Sequence, residues 1–120
     1  MRLLCYNRWK MPELREFDRN KIPPYAIVSH TWDGEEVTYE NMEFPGKTAR
    51  KKKGWRKVYF CLDQAEKDGL QFCWIDSCCI NRPNFTELSE AINSMFRFYR
   101  DAEKSYIYPW DVSQKRIQTG

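Results

Sequence analysis

Three short apolar runs divide the chain, at Tyr25–Ser29, Phe72–Asp76 and Ser105–Tyr108. Each is only four or five residues long and rich in aromatic or β-branched side chains, which is typical of strands buried on both faces. Pro109 ends the third run because it cannot donate a ladder hydrogen bond. The segment Met1–Tyr6 alternates weakly and predicts a further short strand at an edge of the sheet.

Two longer segments between these runs have apolar residues at helical spacing. The apolar positions of the first are Trp55, Val58, Cys61, Leu62 and Ala65. Those of the second are Leu88, Ala91, Ile92, Met95, Phe96 and Tyr99. Gly69 is placed to cap the end of the first helix, and Asn84 or Thr86 to cap the start of the second. The segment between His30 and Gly54 is predicted to be a loop.

The order of elements is therefore strand, helix, strand, helix, strand, which predicts an α/β fold with a small parallel sheet and flanking helices. A chain of 120 residues supports one domain. We expect this domain to occupy residues 1–112. The polar tail, residues 113–120, has no apolar pattern and is expected to be disordered.

Composition narrows the function without defining it. The chain is 42% hydrophobic and 16% aromatic with a net charge of +3, so a real core is expected and nucleic-acid binding is not implied. No apolar run suits a signal peptide or a membrane span, which predicts a cytoplasmic protein. The five cysteines, Cys5, Cys61, Cys73, Cys78 and Cys79, are then expected to be reduced thiols that mostly fill the core.

Ligands of open parallel sheets bind outside the carboxyl ends of the strands. Here those ends are residues 30–32, 76–79 and 109–111, which hold the only histidine, two carboxylates, two tryptophans and an adjacent cysteine pair. His30 and Asp76 could instead cap backbone groups at these ends. Trp32 and Trp110 could be rim or core aromatics, or a stacking floor for a flat ligand.

Other chemistries remain as alternatives. Cys78 and Cys79 could be buried thiols, or Cys78 could pair with His30 as a nucleophile, although no orienting residue is visible. A zinc site from His30, Cys73, Cys78 and Cys79 would lack C-x-x-C pairs. The spacing of the five glycines excludes the familiar phosphate-binding loops.

One run of basic residues stands out: Lys47, Arg50, Lys51, Lys52, Lys53, Arg56 and Lys57. A solvated loop leading into a helix would explain it. It could also contact an acidic partner, RNA or anionic lipid, or act as a nuclear import signal.

Three motifs in this order along the chain resemble those of the fungal heterokaryon-incompatibility (HET) domain family. Tyr25–Trp32 is similar to its first signature, approximately Y-A-I-L-S-H-T-W-G, and Glu35–Tyr39 continues it. Phe72–Ile80 resembles the second block, W-I-D-T-C-C-I-D, and Glu87–Glu103 the third. Asp33-Gly34 departs from the family's usual Gly-Asp, and Asn81 replaces its usual Asp.

The resemblance implies fungal non-self recognition and programmed cell death signalling. It also implies a TIR-like, flavodoxin-like three-layer arrangement, and some TIR domains cleave NAD with a helical glutamate. The comparable HET position lies in a downstream segment like W-T-L-Q-E-L, which residues 113–120 do not resemble. We therefore expect the chain to hold the N-terminal part of a HET domain with an incomplete cleavage site.

Two functions follow as hypotheses. The first is a signalling module that self-associates or binds other signalling domains, with no membrane or nucleic-acid partner. The second is a hydrolase that cleaves NAD as substrate without a cofactor or metal, with Glu90, Asp76 and His30 as catalytic residues. Its ligand-binding residues would be Ser29, Thr31, Trp32, Cys78, Cys79, Asn81 and Trp110.

Overall fold

A computed structural model describes residues 1–30, 34–46 and 50–108 of the chain. Its strands are β1 (Arg2–Tyr6), β2 (Pro12–Glu16), β3 (Tyr25–His30), β4 (Phe72–Trp74) and β5 (Lys104–Tyr108). Its helices are α1 (Tyr39–Glu43), α2 (Trp55–Lys67), α3 (Asp76–Cys79) and α4 (Phe85–Asp101). None of the helices in these ranges is long and apolar enough to cross a membrane.

The strands form one mixed sheet in the order β2-β1-β4-β3-β5. β3 is parallel to β4 and to β5, as predicted, but β1 is antiparallel to β2 and β4. The prediction that β1 is an edge strand is therefore wrong. β1 lies between β2 and β4, and Leu3 and Leu4, whose side chains point to opposite faces of the sheet, are both fully buried. The expectation of a purely parallel sheet is corrected to a mixed one.

The two long helices pack on opposite faces of the sheet. Side chains alternate along a strand, and on β3 the Tyr25 hydroxyl donates to the Phe98 carbonyl of α4 at 2.6 Å. The His30 ring, on the other face, lies 3.1 Å from Lys57 of α2. The Trp74 ring of β4 packs on Phe98 at 5.2 Å between ring centroids. The α/β class is thus confirmed, with helices on both sides of the sheet.

Both long helices have the predicted caps. Gly69 adopts a left-handed φ of 79° after α2, and the Leu70 N–H donates back to the Ala65 carbonyl at 2.8 Å, which closes a Schellman motif. Asn84 accepts the Glu87 N–H at 3.1 Å and so caps α4. Helix α1 falls within the predicted loop, where Thr38 and Asn41 form a capping box.

The cysteines differ in part from the expectation. Cys61 of α2 and Cys73 of β4 are joined by a disulfide, so the expectation of reduced thiols is wrong for this pair. The pairing could not be predicted from local patterns, because the two residues are brought together only when α2 packs on the sheet. Cys5, Cys78 and Cys79 are free and buried.

The apolar face of α4 is only partly used by the core. Ala91 is buried and Leu88 and Met95 pack against the core, as predicted. Ile92 and Phe96, by contrast, are 60% and 73% exposed. The apolar arc of this helix is wider than the area of sheet that it covers, so one side of the arc faces outward.

Gly54 sets the distance between α2 and the segment after β3. Its N–H donates to the Glu35 carbonyl at 2.8 Å, and a Cβ there would lie 2.5 Å from that oxygen and 2.7 Å from the Val37 nitrogen.

We expect Gly54→Ala to lower the free energy of unfolding by about 1–3 kcal/mol through overpacking, measured by urea denaturation. Gly46→Ala is the control, since a Cβ there meets nothing within 4 Å; equal losses in both variants would contradict the close approach.

Candidate functional site

The ends of β3 and β4 bring together two residues that were predicted to form a site. His30 ends β3, and Asp76 begins α3 just after β4. Because the two strands are parallel neighbours, their carboxyl ends meet at one edge of the sheet. His30 Nε2 lies 2.7 Å from Asp76 Oδ1, and the two side chains are 2% and 25% exposed.

A buried ion pair completes this site and was not predicted. Lys57 Nζ lies 2.6 Å from Glu36 Oε2, and each side chain is 4% exposed. The same ammonium group lies 3.1 Å from His30 Nδ1, and Glu36 Oε1 lies 3.5 Å from that nitrogen. We call these four residues, His30, Glu36, Lys57 and Asp76, the strand-end cluster.

The local fold explains how Glu36 and Lys57 come to be buried. Val37 is 1% exposed and anchors the segment that follows β3. Lys52 strengthens this anchor, since its ammonium donates to the Glu36 carbonyl at 3.2 Å and to Asn41 Oδ1 at 2.9 Å. Lys57 lies beside Val58 and four residues before Cys61, within the apolar face of α2. That position was the signal in the sequence that set Lys57 apart from the basic run around it.

The cluster is closed at one end and open at the other. The Lys57–Glu36 pair lies inside, and the Tyr108 ring centroid is 5.9 Å from the Lys57 ammonium. Asp76 faces outward, where Arg82 Nη2 is 3.6 Å from its Oδ2. An imidazole held between two carboxylates can take up or pass on a proton, and Asp76 is the member that solvent reaches most. The arrangement therefore suits acid–base chemistry or recognition of a polar group at the Asp76 end.

Cys78 and Cys79 belong to the core. They are 0% and 4% exposed, and the Cys79 sulfur accepts the Ile75 N–H at 3.4 Å. The hydrogen bond with Cys79, together with burial, raises the pKa of the Cys78 thiol well above its ordinary value. A protonated, buried thiol is a poor nucleophile, so the Cys–His alternative is not supported. Among the described residues, no group of three or more His, Cys, Asp or Glu could hold a metal ion.

Glu90 lies apart from the strand-end cluster. It is an exposed residue of α4, and its Oε2 is 3.5 Å from Arg19 Nη2. It lines a groove of about 950 Å³ between α4 and the N-terminal strands, to which none of the four cluster residues contributes. The structure therefore brings His30 and Asp76 together, but not Glu90 with them.

The other predicted site residues have varied positions. The Ser29 hydroxyl lies 3.2 Å from the Tyr99 hydroxyl, on the α4 face. The Asn81 backbone N–H donates to the Glu87 carboxylate at 2.8 Å. Thr31, Trp32 and Trp110 lie outside the described residues.

Glu87 forms an ion pair between α4 and β1 that the sequence analysis did not predict. It forms a two-pronged pair with Arg2 of β1, in which Nη2 and Oε1 are 3.0 Å apart. Partial burial acts to raise the pKa of Glu87, but the hydrogen bonds from Arg2 and the Asn81 N–H outweigh it and lower the pKa. The ionised carboxylate thus joins β1, α4 and the loop before α4, which is a structural role.

We expect Lys57→Met to lower the free energy of unfolding by about 3–5 kcal/mol, because it leaves the Glu36 charge buried without its cation. The double variant Lys57→Met/Glu36→Gln should recover part of this loss, since both charges are then gone. Urea denaturation of the two single variants and the double variant gives the coupling energy. Purely additive losses would contradict the buried pair.

Comparison with known proteins agrees with the motifs at the strand ends. The model of the family described as heterokaryon incompatibility protein (HET) matches residues 25–118. The chain is 55% identical over 101 residues to vegetative incompatibility protein HET-E-1 of Podospora anserina. That match covers 82% of this chain and 7% of the relative, so the chain corresponds to a small part of its length. No solved structure matches the chain. The chain belongs to the heterokaryon-incompatibility (HET) family.

Proposed function

We propose that this chain acts in fungal incompatibility and cell death signalling by self-association in the cytoplasm, through a surface formed by α4 and β5. The surface consists of Phe85, Ile92, Phe96, Tyr99 and Ile107, and we call it the α4–β5 surface. Phe85, Phe96 and Ile107 are 79%, 73% and 69% exposed. This group of outward-facing apolar side chains is the observation that carries the proposal.

The members of this surface lie on one side of the domain. On α4, Phe85, Ile92, Phe96 and Tyr99 are separated by seven, four and three residues, a spacing that aligns them in one stripe. Ile107 pairs with Ser29 in the β3–β5 register, and Ser29 contacts the Tyr99 hydroxyl. The stripe on α4 and the exposed residue of β5 are therefore close together. Exposed apolar groups that cluster in this way are typical of interaction sites.

A second copy of the chain is the occupant that fits this surface. β5 is at the end of the strand order, so one side of it has no partner strand among the described residues. Such an edge can pair with the same edge of another copy about a two-fold axis. The α4 stripes of the two copies would then flank the joined strands and cover each other's apolar side chains.

We expect the wild-type chain to dimerise, and Ile92→Asp/Phe96→Asp to weaken the dimer at least about tenfold, since central apolar residues dominate interface energy. Sedimentation equilibrium over a range of concentrations measures the dissociation constant. Both side chains are exposed, so the unfolding midpoint should stay close to that of the wild type. Phe44→Asp is the control, because Phe44 is 76% exposed elsewhere. A wild-type monomer at every concentration would overturn the proposal.

A second candidate function is NAD-type nucleotide cleavage, which rests on the strand-end cluster. A buried histidine between carboxylates at the carboxyl ends of parallel strands is a suitable place for acid–base chemistry. Helices on both faces of the sheet fit a TIR-like, flavodoxin-like layering, in which ligands also bind at this edge. Asp76, the most exposed member, would meet the substrate.

We expect, for this second function, that Asp76→Asn lowers the rate of NAD loss by about 10²-fold or more, because it removes a carboxylate that can hold a proton. Glu90→Gln should leave the rate unchanged, since Glu90 pairs with Arg19 outside the cluster. Chromatography of NAD and nicotinamide over hours measures both. Loss of activity on Glu90→Gln alone would move the chemistry to the groove beside α4.

A further inference from the structure

A small apolar pocket lies on the side of the domain where β2 begins and α1 and α2 meet. Its volume is about 240 Å³. Its lining residues are Met11, Pro12, Met42, Pro45, Trp55 and Tyr59, together with Arg50. We call it the α1–α2 pocket. No residue of the strand-end cluster or of the α4–β5 surface contributes to it.

The size and lining of this pocket suit one bulky apolar side chain. It is smaller than the about 300–1,000 Å³ typical of sites for whole small molecules. Methionine and aromatic side chains give it an adaptable apolar wall. A nucleobase would leave its polar edges without hydrogen-bond partners against the methionine and proline side chains, which is unfavourable.

Positive charge that the fold does not use begins at the edge of the pocket. Arg50 lines the pocket. Lys51 follows Arg50 in the chain, Arg56 follows Trp55, and both are exposed. Within residues 1–30, 34–46 and 50–108, none of these three forms an ion pair. Three further residues of the run are occupied: Lys52 binds backbone and Asn41, Lys53 pairs with Glu35, and Lys57 pairs with Glu36. Lys47, the remaining member, lies outside the described residues.

Acidic groups beside the pocket offset this charge only in part. Glu43 of α1 follows Met42 in the chain and contributes one negative charge. Glu35 is already paired with Lys53. Arg50, Lys51 and Arg56 thus remain as an excess of positive charge next to an apolar cavity.

We propose that the α1–α2 pocket binds an acidic peptide segment of a partner protein that carries one bulky apolar side chain. The apolar side chain packs against the contacting rings of Trp55 and Tyr59, whose centroids are 6.5 Å apart, and carboxylates on either side of it meet Arg50, Lys51 and Arg56. The apolar anchor supplies affinity by burial, and the charges speed association and select acidic partners. This gives the basic run of the sequence a role separate from self-association.

The test uses two fluorescein-labelled peptides, Asp-Glu-Asp-Leu-Asp-Glu-Asp and the same peptide with Ser in place of Leu. Fluorescence anisotropy with the full chain at low salt measures both dissociation constants. Burial of the leucine should make the first peptide bind at least about tenfold more tightly. Equal binding of the two peptides would overturn the proposal, because it would show attraction by charge alone.

Variants locate the binding site. Arg50→Glu/Arg56→Glu should weaken binding of the leucine peptide at least about tenfold, because like charges then face each other. Lys21→Glu/Lys67→Glu is the matched control, with the same change of net charge at exposed positions away from the pocket, and it should bind as the wild type does. Equal weakening in both variants would contradict the proposal.

Two further measurements separate the proposal from its alternatives. A labelled seven-nucleotide RNA and vesicles containing phosphatidylserine should bind more weakly than the leucine peptide. Tighter binding of either would assign the basic residues to nucleic acid or lipid and overturn the peptide site. Ile92→Asp/Phe96→Asp should leave peptide binding unchanged, since those residues lie on the α4–β5 surface.

Discussion

The buried ion pair between Lys57 and Glu36 is the constraint on which the site depends. Both side chains are 4% exposed and their charged atoms are 2.6 Å apart. A buried pair of this kind adds little net stability, but either charge alone in the interior is strongly unfavourable. The segment after β3 must therefore stay packed against the start of α2, which requires the close approach at Gly54. His30 and Asp76 are held in contact at the same edge of the sheet.

The domain keeps its polar chemistry and its apolar contact surfaces apart. The strand-end cluster faces α2, whereas the exposed apolar stripe belongs to α4 on the opposite face of the sheet. An association surface can therefore change without disturbing the cluster, and the reverse also holds. In the proposed function, self-association occurs at α4 and β5, a partner peptide binds at the α1–α2 pocket, and any chemistry occurs at the strand ends.

Local patterns in the sequence were enough to predict β3, β4, β5, α2 and α4, because buried runs and helical spacing are properties of neighbouring residues. They could not predict β2, whose residues Pro12–Glu16 are mostly polar and whose strand forms through pairing with β1. The contact of His30 with Asp76 followed from topology. The role of Glu36 was not predicted, because its burial depends on the packing of α2. The exposure of the outward half of the α4 stripe was not predicted either, because a sequence pattern does not show which part of a wide apolar face is covered.

The most direct test of the strand-end cluster is ¹⁵N NMR of the lysine side-chain ammonium groups. In a buried pair with Glu36, the Lys57 ammonium protons are shielded from water and should exchange far more slowly than those of exposed lysines such as Lys21 and Lys67. We expect a persistent Lys57 ammonium signal at neutral pH, lost in Lys57→Met, with nuclear Overhauser contacts to the His30 ring. Rapid exchange of every lysine ammonium group would contradict the buried network.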